Sequence, residues 1–324
     1  MKAKVIYLQT GFWKQLKADS SIAGLQCLMN VYEAISEANL RTDIEDEVWD
    51  SDPFLMILWK KYLTSQADIE LFDVITLEKP EENAEDLSAV YLTTEDSRKC
   101  EEIGLHYGVI VINNVDITQK EYLFKGDGFM LKKNATRYDD RYIQFRDKIS
   151  YPCNSMILID PYILSKKENI ENSLCSLLEA ILPNKKLQIV YQIAIFSMIG
   201  AGNRDAAKGG DVYGQLKNLI TALRKGLDFD LTLYAIGASE EFHSRIILTN
   251  NILFNAADGF DVFKDDGRSN KNAMFDIVMP RLFGNSRQDM SNYLRWIKIA
   301  KERSKRHSET QCWGTRENRL FDLV

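Results

Sequence analysis

Apolar and polar residues along the first 115 positions follow spacings that predict strands and helices in turn. The apolar run over 3–10 predicts a first strand, and three- and four-residue spacing of apolar side chains predicts a helix over 21–40. A second helix is predicted over 53–66. Three further strands and a short helix complete the series: 70–77, 88–94, 95–105 (the helix) and 108–113. The order β-α-α-β-β-α-β predicts a mainly parallel sheet covered by helices.

A second α/β pattern follows residue 150. Its predicted strands are 155–164, 186–196, 230–237 and 244–251, and its predicted helices are 169–182, 212–227 and the basic 289–307. The polar stretch 116–150 is rich in charged and aromatic residues and is predicted to be a linker. The sequence therefore predicts an α/β protein of two domains, 1–115 and 151–324. Each is expected to hold a mainly parallel or mixed sheet covered by helices.

The two halves of the chain differ in net charge. With 45% hydrophobic and 27% charged residues, the chain has the composition of a globular protein. Residues 1–130 hold 12 Lys and Arg against 24 Asp and Glu, a net charge of −12. The remainder holds 29 against 23, a net charge of +6. The basic excess near the end predicts contact with phosphate through Lys298, Lys301 and Arg303, and a solvated helix face is the alternative.

The spacing of the cysteines and the length of the apolar runs argue against several classes of protein. The five cysteines are widely spaced without a CxxC pair, which predicts reduced, mostly buried thiols instead of a disulfide framework or a structural zinc site. The longest apolar runs are too short to span a membrane. The first residues lack the pattern of a secretory signal, so we expect a cytoplasmic protein without a membrane partner.

One short stretch, EFHSRIILTNN at 241–251, suggests phosphate chemistry. In an extended chain His243 and Arg245 point to the same side. A guanidinium can bind two phosphate oxygens, and an imidazole can attack phosphorus or transfer a proton. The stretch resembles the signature of the phospholipase D superfamily, His-x-Lys, four residues, then Asp, with Asn250 in the last slot. The earlier LIDPYIL at 158–164 resembles the opening strand of that fold.

The resemblance covers about half of the chain and implies a phosphodiesterase that needs no metal cofactor. Its catalytic residues would be His243, Arg245 and Asn250. The superfamily usually uses two histidine motifs and this chain holds one candidate, so the resemblance implies a homodimer. Arginine and asparagine replace the family's lysine and aspartate here. The alternative is therefore a fold member that binds phosphate without cleaving it.

A glycine-rich stretch, GAGNRDAAKGGD at 200–211, is a second candidate for anion binding. Arg204 and Lys208 could hold an anion together with backbone N–H groups. The glycine spacing matches neither the P-loop nor the dinucleotide-binding fingerprint. We favour a surface connector, and the rim of a substrate cleft is the alternative.

The first half resembles a PIN-like nuclease. VIYLQTGFW at 5–13 looks like the first strand of that fold, and the strand–helix–strand unit over 92–113 looks like a later part of it. The resemblance implies Mg²⁺ or Mn²⁺ held by Gln9, Glu47 and Asp96. Gln9 departs from the pattern, because it is an amide where the family has a carboxylate. The other two residues have ordinary alternatives: Glu47 as a solvated charge and Asp96 as the cap of the following helix.

Together the two resemblances imply a nucleic-acid-associated effector of the bacterial anti-phage defence or toxin type. It would act as a nuclease through His243, with nucleic acid, a second copy and a further protein component as partners. The alternative is a catalytically inactive subunit, built from degenerate nuclease folds, that binds nucleic acid or protein.

Overall fold

The computed structural model describes ten segments of the chain: 4–65, 67–117, 129–131, 152–165, 169–199, 206–237, 245–256, 275–278, 287–307 and 311–324. The chain divides into two compact units. The first is made of Met1–Asp127, Met279–Leu294 and Leu323–Val324, and the second of Gly128–Val278 and Arg295–Asp322. The predicted α/β class is confirmed, with one parallel and one mixed sheet. Most of the predicted linker lies outside the described residues.

The first unit is built on a parallel sheet in the order β3-β2-β1-β4-β5. Its elements, in chain order, are β1 (Val5–Leu8), α1 (Thr10–Ala18), α2 (Ile22–Ile35), β2 (Asn39–Thr42), α3 (Asp46–Ser51), α4 (Pro53–Tyr62), β3 (Ile69–Leu71), a 3₁₀ turn (Asp86–Ser88), β4 (Val90–Thr93), α5 (Ser97–Tyr107) and β5 (Ile110–Asn113). Parallel strands need crossovers, which the helices supply.

The sequence analysis did not predict β2, and it predicted one helix and two strands that are longer than the observed elements. The helix predicted over 21–40 ends at Ile35, where the Ser36 backbone N–H donates to the Tyr32 carbonyl at 3.0 Å. Four residues with alternating burial then form β2. A strand this short is hard to separate from the end of an apolar helix by periodicity. The strands predicted over 3–10 and 70–77 are shortened to β1 and β3.

A polar network lies on one face of this sheet. The Arg41 guanidinium donates to the Tyr7 hydroxyl at 2.6 Å and to the Asp86 carboxylate at 2.7 Å. It also pairs with Glu85 at 3.2 Å and Glu70 at 3.1 Å. The Tyr7 hydroxyl in turn donates to Asp86, which is 2% exposed. Burial, followed by the bond to Asp86, raises the pKa of Tyr7. The network therefore connects β1, β2 and the 3₁₀ turn before β4, which are far apart in sequence.

Lys4, half-buried just before β1, makes stability depend on pH. Burial lowers the pKa of Lys4 to about 7, whereas an unfolded lysine has a pKa of roughly 10.4. Between these values the unfolded chain binds more protons, so stability should rise as pH increases from 7 to 10. Lys4→Met should therefore stabilise the protein by about 2 kcal/mol at pH 7, with a smaller gain at pH 10. Urea unfolding at both pH values tests this, and an equal effect at both would contradict it.

The second unit is built on a mixed sheet in the order β13-β9-β8-β7-β10-β11-β12-β6. The strands are β6 (Phe129–Leu131), β7 (Ser155–Ile159), β8 (Tyr191–Ser197), β9 (Phe229–Ala235), β10 (Arg245–Thr249), β11 (Leu253–Ala256), β12 (Phe275–Val278) and β13 (Cys312–Gly314). The helices after β7 are a π-helical segment (Asn169–Leu174), α6 (Cys175–Ile181), α7 (Ala206–Leu223), α8 (Arg287–Ser304) and a 3₁₀ turn (Arg319–Leu323). The part of α8 from Arg295 onward belongs to the second unit, and the part up to Leu294 belongs to the first. Strands β7, β8 and β9 are mutually parallel, and the other pairings are antiparallel.

The core of the second unit follows these three parallel strands. All of β7 is buried, and so is β8 apart from Gln192, as expected for strands covered on both faces. Phe196 of β8 stacks on Tyr234 of β9 with ring centroids 4.4 Å apart. The strand predicted over 155–164 ends earlier, because the Asp160 carboxylate accepts from the Tyr162 backbone N–H at 2.8 Å and starts a turn.

Four of the five cysteines are buried thiols, and Cys175 is half-buried. Burial raises the pKa of Cys153 to about 11, which keeps this thiol protonated at neutral pH. Within the described segments, no helix has the length and apolar character needed to cross a membrane.

Candidate functional site

The carboxyl ends of β1 and β4 lie side by side in the first sheet, at the point where the strand order reverses. From β1 the chain extends the sheet through β2 to β3, and β4 and β5 are added on the other side. Ligands of open α/β sheets bind outside the carboxyl ends of the strands at such a reversal. Gln9 directly follows β1 here, and Thr94 directly follows β4.

The Gln9 side chain bridges these two strand ends and is 8% exposed. Its oxygen accepts hydrogen bonds from the Thr93 hydroxyl at 2.8 Å, the Thr94 backbone N–H at 2.7 Å and the Thr94 hydroxyl at 3.1 Å. Its nitrogen donates to the Ile75 carbonyl at 2.9 Å. An amide suits this position because it both accepts and donates, whereas a carboxylate would face the Ile75 carbonyl without a proton to donate.

Asp43 is a residue at this edge that the sequence analysis missed. One of its carboxylate oxygens accepts from the Thr10 backbone N–H at 2.6 Å and the Thr10 hydroxyl at 2.9 Å, and the other accepts from the Ile75 N–H at 3.1 Å. Asp43 follows β2, and a carboxylate directly after a strand is the signal that could have found it. That signal was hidden because the helix predicted over 21–40 covers the first half of β2.

The other two predicted metal ligands have different surroundings. Asp96 is the N-cap of α5, where its carboxylate accepts from the Lys99 backbone N–H at 2.8 Å. This is the helix cap that the sequence offered as an alternative. Glu47 is exposed in the first turn of α3. Over the part of the chain that the structure describes, no three His, Cys, Asp or Glu side chains are grouped so that they could hold a metal ion.

The second sheet has its own carboxyl edge, where β7, β8 and β9 end and the antiparallel β10 begins. Ile246 pairs with Ile159, so Arg245 and Asp160 lie opposite each other one step beyond this pair. The Arg245 guanidinium lies over the Tyr162 ring, 5.4 Å from its centroid. Tyr162 is 44% exposed. A cation and an aromatic face therefore lie together at this edge.

The structure does not bring Arg245 and Asn250 together. Arg245 begins β10, and Asn250 follows its last residue, which places them roughly 16 Å apart along the strand. Asn250 is 1% exposed, and its side-chain oxygen accepts from the Asn154 backbone N–H at 3.0 Å. Its observed contact is a buried bond that fixes the start of the chain segment leading into β7.

His243 and Arg204 lie outside the described residues. In sequence, Arg204 falls between β8 and α7, and His243 falls between β9 and β10. Both segments thus follow strands that end at the same edge as Arg245. Lys208 is exposed in the first turn of α7.

The basic residues predicted near the end lie on α8. Lys298 is exposed, whereas Lys301 and Arg303 are half-buried. Three further exposed cations lie on α8 or in the turn after it: Arg295, Lys305 and Arg306. Within the described segments none of these three, nor Lys298, takes part in an ion pair.

Comparison with known proteins gives no family for this chain. No protein-family model matches it, and no curated protein matches it. Two solved structures show weak similarity at 10% identity. One is TrmBL2, described as an archaeal chromatin protein, with a TM-score of 0.25 over 53% of this chain and 55% of that one. The other is the polyphosphate kinase of Porphyromonas gingivalis, with a TM-score of 0.26 over 98% of this chain and 45% of that one. The chain spans about half the length of each, and these TM-scores carry no argument about function.

The hydrogen bonds of Gln9 predict a measurable role in stability. Gln9→Leu should lower the free energy of unfolding by about 2–3 kcal/mol, because the buried Thr93 hydroxyl and the Ile75 carbonyl lose their partner. Urea denaturation of the two proteins measures the difference. Gln15→Leu, at an exposed position of α1, is a matched control and should have little effect. Equal stability of the Gln9 variant and the wild type would contradict this role.

Proposed function

We propose that the protein binds nucleic acid through phosphate contacts made by its second unit, and that the first unit does not supply a catalytic metal site. The observation that carries the proposal is the exposed basic surface of α8 and the turn after it, formed by Arg295, Lys298, Lys305 and Arg306. Contacts between lysine or arginine and phosphate supply most of the sequence-independent affinity for nucleic acid.

The spacing of these cations suits an extended polyanion. Positions 295, 298, 302 and 305 fall on one side of a helix, and three of them are basic while Glu302 is the acid among them. Arg295 and Lys305 are separated by roughly 15 Å along the helix axis. One strand of a duplex carries four or five phosphates over about this distance. The basic surface can therefore contact several phosphates at once.

The polar groups at the carboxyl edge of the first sheet favour binding over metal-dependent cleavage. Backbone N–H groups of the protein itself donate hydrogen bonds to the side-chain oxygens of Gln9, Asp43 and Asp96. The Asp43 carboxylate accepts two backbone N–H groups and one hydroxyl, which makes it less available to a cation. This supports the alternative in which the first unit is a degenerate nuclease fold.

A second candidate function is phosphodiester cleavage at His243. It is favoured by Arg245 and Tyr162 at the carboxyl edge of the second sheet, and by the resemblance to the phospholipase D superfamily. In this candidate Arg245 would bind phosphate oxygens and His243 would attack phosphorus, without a metal ion.

Binding is tested with a charge-neutralised variant and a matched control. Arg295→Gln, Lys298→Gln and Lys305→Gln are combined in one protein, and the exposed Lys14, Lys79 and Arg98 of the first unit are changed to Gln in another. Affinity for labelled single- and double-stranded DNA and RNA is measured at 100 mM salt. We expect the α8 variant to bind at least ~30-fold more weakly and the control within about twofold of the wild type. Equal weakening of both would show that only net charge matters and would contradict the proposal.

Cleavage is tested on the same substrates with wild type and His243→Ala, each with Mg²⁺, Mn²⁺ or EDTA. Cutting that resists EDTA and disappears in the variant would support the second candidate. Metal-dependent cutting that the variant retains would instead assign chemistry to the first unit and contradict our proposal for it. Absence of cutting together with binding by the wild type would favour the binding function alone.

A further inference from the structure

Helix α2 exposes an apolar stripe on the surface of the first unit. Ile22 is 90% exposed, Leu25 51% and Met29 47%, at a spacing of three and four residues that places them on one side of the helix. The opposite side is also apolar and buried. Within α2 the only charged side chain is that of Glu33. Apart from Gln26 and Glu33, the exposed side chains of α2 are thus apolar, and an apolar side of a helix is normally covered.

Helix α4 exposes a second stripe with the same spacing. Met56 is 41% exposed, Trp59 42% and Leu63, directly after the helix, 71%. Ile57 beside them is 59% exposed. The adjacent Lys60 is exposed and basic, in contrast to the acidic Glu33 of α2. Scattered exposed apolar side chains are normal, but two aligned groups of them indicate an interaction surface.

The two helices are neighbours in the first unit. The rings of Tyr32 in α2 and Phe54 in α4 contact each other edge to face, with centroids 5.7 Å apart. The Tyr62 hydroxyl at the end of α4 donates to the carbonyls of Ile35 and Ala38, at 2.7 Å for Ala38. One partner can therefore contact both stripes.

We propose that this surface binds a second copy of the chain, with α2 of one protomer packed against α4 of the other. In a dimer with a two-fold axis this contact forms twice, because α2 of each protomer then packs against α4 of the other. The two stripes expose roughly 700 Å² of apolar side chain, close to the ~800 Å² per partner of a standard stable interface.

Charge distinguishes this pairing from its alternatives. Packing α2 against α2 of another copy would bring Glu33 and the nearby exposed Asp19 close to the same acidic groups of the partner. Packing α2 against α4 instead brings these acids to a helix whose charged side chains, Lys60 and Lys61, are both basic. The surface is therefore self-complementary in charge only when the two different helices meet.

The test is sedimentation equilibrium of the full chain between 1 and 100 μM. We expect wild type to dissociate with a Kd in the low micromolar range, giving twice the 37.3 kDa mass of one chain at the upper concentrations. Leu25→Glu and Trp59→Lys, each at the centre of its stripe, should each weaken the dimer at least ~50-fold. Leu25 faces Trp59 of the other protomer in either helix direction, so the double variant should dimerise at least ~10-fold more tightly than either single variant.

Controls make each outcome decisive. Val115→Glu places the same charge at an apolar side chain that is 75% exposed outside the two helices, and it should leave the dimer unchanged. Far-ultraviolet circular dichroism checks that each variant is folded. Ile22→Glu and Leu63→Lys, at still more exposed positions, replace any variant that is not. A monomeric wild type at 100 μM, or a dimer that survives the single variants, would overturn the proposal. A double variant no tighter than the singles would overturn the α2–α4 pairing.

Discussion

Arg41→Met should lower the free energy of unfolding by about 3–5 kcal/mol, because it leaves the buried Asp86 carboxylate without its cation. The guanidinium also bonds the Tyr7 hydroxyl and lies 5.3 Å from the centroid of the Tyr7 ring. Methionine fills a similar volume but satisfies none of these groups. Arg41→Lys should recover only part of the loss, since one ammonium cannot reach the several oxygens that the planar guanidinium contacts. Urea unfolding followed by circular dichroism measures both differences.

The matched control for Arg41 is an ion pair of the same unit that is more accessible to solvent, with side chains 39% and 26% exposed. Lys99 pairs with Glu95 at 2.8 Å within α5 and its N-terminal turn. Lys99→Met should leave stability unchanged within experimental error, because ion pairs within reach of solvent contribute little. If Arg41→Met were as mild as Lys99→Met, the network across β1, β2 and the Asp86 turn would not stabilise the first unit.

Gly314→Ala should destabilise the second unit by about 3 kcal/mol or more. Gly314 ends β13 with φ of +111°, a backbone conformation that residues with a Cβ rarely adopt. An added Cβ would also lie 2.0 Å from the Leu231 carbonyl oxygen of the paired strand β9. Backbone atoms in a paired strand cannot move away as a flexible side chain could. Thermal and urea unfolding measure the effect.

Replacing Gly214 by alanine should instead increase the stability of the protein. Gly214 lies inside α7, and an added Cβ would meet no atom within 4 Å. Gly214→Ala should therefore stabilise the protein by roughly 0.5–1 kcal/mol, through helix propensity and a less flexible unfolded chain. A destabilising effect at Gly214, or a neutral effect at Gly314, would contradict the local geometry of α7 or β13.

The sequence predicted the α/β class and most helices and central strands, because these have strong periodicity and sufficient length. Helix α4 begins at Pro53 as the sequence indicated, and Asp96 caps α5. Short elements were less predictable. Strand β2 is four residues long and follows an apolar helix, so no local signal separated the two.

The surroundings of the candidate site residues could not be predicted, because they depend on contacts between distant segments. Gln9 meets Thr93, 84 residues away, only once β1 and β4 pair. Asn250 meets Asn154, 96 residues away, only once β10 pairs with β7. The short motif around residue 245 placed Arg245 and Asn250 in one group, but Arg245 begins strand β10 and Asn250 follows its other end. A linear motif does not show which of its side chains become buried in the folded protein.

The most direct test of the proposed function is the dependence of nucleic-acid affinity on salt concentration. Wild type and the Arg295→Gln/Lys298→Gln/Lys305→Gln variant are titrated with labelled nucleic acid from 50 to 300 mM salt. We predict a steep fall in affinity for the wild type, and a slope of log K against log salt that is smaller by about 2–3 in the variant, one unit for each phosphate contact removed. Binding that does not respond to salt, or identical slopes for the two proteins, would contradict nucleic-acid binding through the basic surface of α8.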